Sequence, residues 1–179
     1  MRWLIPFALC AAPAFADTCP AAADHTAAEA DLYARLQALE TPIGARELND
    51  QLWQLWTEAP DEKAQALLDE GMALRERYNL IGAREALDQL VEYCPEYAEG
   101  YNQRAFANFL DANYEGALFD LDIALELSPN HTGALTGKGL TLMRLERNAE
   151  AIEAFQAAVD LNPWLSERVL LEQLKGQEI

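Results

Sequence analysis

Two histidines, two cysteines beyond the N-terminal stretch and a large excess of carboxylates are the side chains here that could carry a reaction or hold a metal. His25 lies in a segment without periodicity, and His131 follows Pro129 in a turn. The chain contains no HExxH, no Gly-x-Ser-x-Gly and no glycine-rich phosphate loop. A lone turn histidine lacks the second group that proton transfer or metal ligation requires. The 30 acidic residues are scattered at spacings that read as solvated helix faces. Asp120 and Asp122, two apart on a helix, would not even share a face. These residue types argue against an enzyme, and no catalytic residue, metal or cofactor is expected.

The net charge of −17 on 179 residues keeps the chain soluble, repels nucleic acid and anionic membrane, and favours basic partners. Residues 1–16 carry one positive charge at Arg2, an apolar run from Trp3 to Ala12, and Ala14-Phe15-Ala16 before Asp17. This is the three-part pattern of a cleaved secretory signal peptide. The run is too short to span a bilayer, so no membrane insertion is expected after cleavage. Leu9 before Cys10 is not the small residue of a lipoprotein signal. Cys19 and Cys94 would survive cleavage in a compartment where thiols oxidise. A bridge between them would stabilise by about 4 kcal/mol in the chain-entropy model. The alternative is two unrelated cysteines, with Cys94 a small core residue.

The elements that must position any site follow a fixed interval. Small residues recur at Gly71, Ala105 and Gly139, a second series runs Ala83, Ala117, Ala151, and prolines stand at Pro95, Pro129 and Pro163, every step being 34 residues. The last copy adds Leu135, Leu142 and Ala151-x-x-x-Phe155. The pattern resembles the tetratricopeptide repeat family. That resemblance implies an all-α, right-handed α-solenoid of stacked helix-turn-helix units: residues 64–97, 98–131 and 132–165. Before them, residues 17–26 read as an extended lead-in and residues 27–59 as a helical pair, with Thr26 and Glu29 as a capping box and Thr41-Pro42-Ile43-Gly44 as the break. The pair is out of register with the repeats, either a degenerate unit or a separate cap. Residues 166–179 read as a capping helix with Ser166 as N-cap, its Val169, Leu170, Leu171 and Leu174 covering the open end, and a frayed tail.

In the family the first helices of successive repeats line a concave groove. The matching positions hold Met72 and Arg75, then Asn102, Phe106 and Phe109, then Leu140, Met143 and Arg144. An apolar stripe with flexible methionines suits a peptide or helix face. The same stripe could instead be core, filled by the repeats' own second helices or by Trp53 and Trp56 folding across. That tryptophan pair shares a helix face and reads as the seal of a terminal unit or an interface anchor. The carboxylate clamp of some family members is absent: the corresponding places hold Leu68, Met72, Gln103, Gly133 and Gly137. Asn102 and Gln103 could pair with a peptide backbone or simply be solvated. The expectation is a non-enzymatic scaffold or adaptor in the periplasm, or secreted, binding a protein or peptide. A client-specific chaperone, such as one holding apocytochrome c, and a structural subunit of an envelope complex, with self-association possible, are the alternatives.

Overall fold

The computed structural model describes residues 18–177, so the signal peptide expected over residues 1–16 lies outside the described residues. Among the described residues there are nine helices and no strand: α1 (Thr26–Gln37), α2 (Ala45–Trp56), α3 (Glu62–Glu76), α4 (Leu80–Tyr93), α5 (Ala98–Leu110), α6 (Tyr114–Leu127), α7 (Thr132–Arg144), α8 (Asn148–Leu161) and α9 (Arg168–Gln177). Three antiparallel pairs, α3 with α4, α5 with α6 and α7 with α8, stack along one axis.

Small residues set how closely each pair packs. A Cβ placed on Gly71 would come within 2.6 Å of Leu87, and one on Gly139 within 2.5 Å of Phe155. The middle pair sets buried Ala105 into the same cluster as Leu121. At the pair-to-pair contact, buried Leu90 takes the place that Ala124 and Ala158 fill later. Gly100 on the facing α5 makes room for it, since a Cβ there would already touch Leu90 at 3.3 Å.

The turn inside each pair also repeats, through a signal that composition hides. Tyr78, Ala112 and Glu146 have positive φ, each 34 residues from the next. In each case the following residue returns its N–H into the first helix: Asn79 to Leu74, Asn113 to Asn108, Arg147 to Leu142. The side chains of Asn79 and Asn113 then cap α4 and α6 by accepting from Gly82 and Gly116. Arg147 makes no such cap and pairs with Glu150 instead. A non-glycine residue in the left-handed region costs about 1 kcal/mol, so the reversal is held by its hydrogen bonds.

The N-terminal pair does not stand in line as a unit before α3. It runs along the edge formed by the turns between repeats. The Tyr97 hydroxyl donates to the Trp56 carbonyl and the Tyr33 hydroxyl to the Asn130 carbonyl. Gln37 donates to the Asp160 carbonyl, and the Trp164 indole to that of Leu36. Leu32, Leu36, Leu48 and Leu52 are buried in a cluster of their own, with Leu161 and Trp164 packed against it. The expected capping box does not form: Thr26 is already helical, Asp24 accepts its N–H, and Glu29 accepts from the Trp56 indole. At the other end α9 starts only at Arg168, Ser166 bonds Glu167 rather than capping, and Val169 is exposed. Leu171 and Leu174 are buried against Leu142 and Phe155, and partly buried Leu170 packs beside them. Cys19 is bonded to Cys94 with a Cα separation of 5.1 Å, joining the lead-in to the end of α4.

Candidate functional site

The first helices α3, α5 and α7 lie side by side and enclose a cavity of about 300 Å³ on the concave face. Its wall carries Arg75 from α3; Asn102, Gln103, Phe106 and Phe109 from α5; and Thr136, Leu140 and Thr141 from α7. Trp53 of α2 reaches in from the N-terminal pair. Gly133 and Gly137 contribute wall without side chains, and a Cβ on Gly137 would meet Leu121 at 3.2 Å. A side chain at position 137 would therefore press on Leu121, itself part of the wall.

Two aromatic residues remain open to solvent, Phe106 at 47% and Trp53 at 39%. Phe109 is half-buried and packs edge-on against Tyr114 at 5.5 Å. The groove is thus narrowed by Trp53 without being filled. Two exposed aromatics beside an apolar hollow form a surface suited to a hydrophobic side chain.

Behind this wall lies a polar network. Glu99, Gln103 and His131 are each 1% exposed. Glu99 accepts from Gln103 and Asn102 through their amide nitrogens and lies 2.8 Å from His131 Nε2. His131 Nδ1 accepts the N–H of Ala134, capping α7, which leaves Nε2 as the donor to Glu99. Trp56 stacks on the imidazole at 3.9 Å. His131 is therefore not the lone turn residue that its sequence position implies, but the join between α7, α5 and α2. Gln103 is buried rather than solvated. Asp120 likewise departs from the solvated reading: it is buried and takes two hydrogen bonds from Arg104 and one from Asn108. Burial works against the charge on Arg104, but Asp120 and Asp88 hold its pKa above the ordinary value. Among the described residues no group of His, Cys, Asp and Glu is placed to hold a metal ion.

Of the eight groove residues read from the sequence, Arg75, Asn102, Phe106, Phe109 and Leu140 share the cavity wall. The other three do not. Met72 packs against the core under α3 and α4, and Met143 against the cluster around Phe155. Arg144 is exposed and donates to the Tyr114 hydroxyl. The tryptophans also part company, Trp53 entering the groove and Trp56 joining the histidine. The sequence reading left open whether Trp53 and Trp56 fold across the groove, and Trp53 does reach it. What it missed is the network around Glu99, with Trp56 of α2 stacked on His131.

Comparison with known proteins agrees with this architecture. The model of the tetratricopeptide repeat matches residues 132–163. Tetratricopeptide repeat protein 36 of Xenopus tropicalis is 32% identical over 136 residues, covering 74% of this chain and 67% of that protein. The chain belongs to the tetratricopeptide repeat family. A TPR repeat-containing protein of Rhizobium etli is 26% identical over 144 residues, covering 80% of this chain and 69% of that protein. Among solved structures, the TPR2B domain of yeast Sti1 in its complex with pHsp70 superposes with a TM-score of 0.59 at 26% identity, over 64% of this chain and 94% of that one. Tetratricopeptide repeats are interaction modules, and the concave wall is where this chain's first helices converge.

Proposed function

We propose that this protein is a non-enzymatic interaction scaffold that holds a segment of a partner polypeptide in its concave groove, outside the cytoplasm. The observation that carries the reading is the cavity between α3, α5 and α7, with Phe106 and Trp53 exposed at it and Arg75 its only charged side chain among the described residues. An apolar hollow with few polar groups holds an anchor side chain, and the net charge of −17 favours a basic partner. The Sti1 domain, a relative in fold, is recorded in complex with pHsp70. Export is supported by the pattern of residues 1–16 and by the Cys19–Cys94 pairing, which suits an oxidising compartment.

The groove is tested by replacing Phe106 and Phe109 together with alanine and measuring retention of crosslinked partner by the purified protein. Retention is expected to be lost while the helical circular dichroism persists. Unchanged retention moves the site elsewhere. Export is tested by fractionating cells and sequencing the N-terminus of the mature chain. A start at Asp17 outside the cytoplasm is expected, and an intact Met1 in the cytosol contradicts it.

A further inference from the structure

Trp53 and Trp56 belong to the same helix but are held very differently. Trp56 stacks on His131 and gives its indole N–H to Glu29. Among the described residues the Trp53 side chain has no hydrogen bond and no stacked ring, and it stays 39% exposed in the wall of the concave cavity. Phe106 faces the same hollow from α5. The Arg75 guanidinium lies over one face of its ring at 4.2 Å, and the ring is still 47% exposed. A guanidinium covers a single face, so the exposure that remains is on the other face and the edge. The polar groups of the wall are engaged within the chain. Thr136 and Thr141 turn their hydroxyls to the carbonyls of Gly133 and Gly137, and Asn102 and Gln103 give their amide nitrogens to Glu99. What the cavity offers a ligand is therefore aromatic and aliphatic surface, with one positive charge beside it.

We infer that the groove takes an uncharged aromatic anchor, the side chain of a phenylalanine or tryptophan in the bound polypeptide, held between Trp53 and the open face of Phe106. The inference rests on the groove being the partner site. At about 300 Å³ the hollow lies at the small end of ligand pockets, the scale of one large side chain. Charge complementarity sets what surrounds it. The net charge of −17 favours lysine or arginine on either side of the anchor, whereas Arg75 opposes a cation in the hollow itself. An aliphatic side chain would fill the same space but forgo the edge-to-face and offset contacts that ring pairs add to burial. Trp53 can turn onto the anchor without giving up a bond inside the chain. It is then the residue that sets selectivity, and it comes from α2, outside the repeats.

The test is fluorescence anisotropy with dye-labelled peptide amides Lys-Gly-Xaa-Gly-Lys, Xaa being phenylalanine, leucine, glutamine or lysine. The phenylalanine peptide is expected to bind roughly tenfold more tightly than the leucine peptide, the scale of the added ring contacts, and the lysine peptide to bind worst. Trp53→Leu should bring the phenylalanine peptide down to the affinity of the leucine peptide and leave the leucine peptide where it was. A general loosening of α2 would weaken both alike and overturn the role of Trp53, as would a phenylalanine preference that survives the substitution. Equal binding of the phenylalanine and leucine peptides that Phe106→Ala abolishes keeps the groove as the partner site and overturns the aromatic selection. Tightest binding of the glutamine or lysine peptide overturns it as well. No binding by any peptide counts against both.

Discussion

Within the repeats, the deciding contacts are apolar and local: Gly71 admits Leu87 and Gly139 admits Phe155, sixteen residues away in each case. The N-terminal pair is placed by hydrogen bonds to backbone carbonyls far along the chain, Tyr33 to Asn130 and Trp164 to Leu36, at separations of 97 and 128 residues. One region is a sum of neighbours, as expected of a solenoid. The other depends on the assembled array, because its partners lie at the ends of successive repeats. The groove combines the two: its walls are repeat helices, and Trp53 comes from the pair laid against them.

Four perturbations separate the regions. Reducing the Cys19–Cys94 bond should cost the most, about 4 kcal/mol for a loop of this length, read as a lowered midpoint in denaturant. An unchanged midpoint would mean that the tether contributes nothing. Gly139→Val should cost about 3 kcal/mol by overpacking Phe155 and should disrupt the third repeat, whereas a tolerated valine would contradict the close-packing account.

Tyr33→Phe should cost only about 1 kcal/mol. Its damage should be confined to α1 and α2, whose amides would exchange hydrogen faster while those of α5 and α7 do not. The same residue gives a pH signature. Burial raises the Tyr33 pKa from 10.0 to about 12, against the lowering effect of its hydrogen bonds with Thr132. Burial raises Tyr97 as well. A phenol whose pKa is higher folded than unfolded stabilises fully below the unfolded value, and that stability is lost as pH climbs from about 10 through about 12. Melting temperature should therefore fall across that window, together with the rise of tyrosinate absorbance. Ionisation of Tyr33 near pH 10 with the pair still docked would contradict the burial. The smallest effect belongs to Ala112→Gly, which should stabilise by roughly 0.5 kcal/mol through relief of the left-handed turn.

The 34-residue interval was readable because each repeat meets its neighbour in the same way, so one packing demand recurs in sequence at Gly71, Ala105 and Gly139. Pro95, Pro129 and Pro163 punctuated the units for the same reason. The turn residues Tyr78, Ala112 and Glu146 recur just as strictly, but their side chains share no chemistry, so only backbone angles reveal them. The groove was half legible. Phe106, Phe109 and Arg75 follow from repeat position, while Met72 and Met143 occupy similar positions and turn into the core. Trp53 across the groove was one of two open readings, while the pairing of Glu99 with His131 under Trp56 has no local signal. The pair is held in part by backbone carbonyls, those of Asn130 and Asp160 accepting from α1 and that of Trp56 in α2 accepting from Tyr97, and every sequence possesses carbonyls.

The most direct test of the concave groove is photocrosslinking in native cells from a photoreactive phenylalanine analogue, placed singly at position 106 and at position 119. Phe106 and Phe119 are both exposed, at 47% and 64%, but only the first lines the cavity. Polypeptide adducts from position 106 and none from position 119 are predicted. Adducts from position 119 alone would place the partner away from the groove and contradict the account.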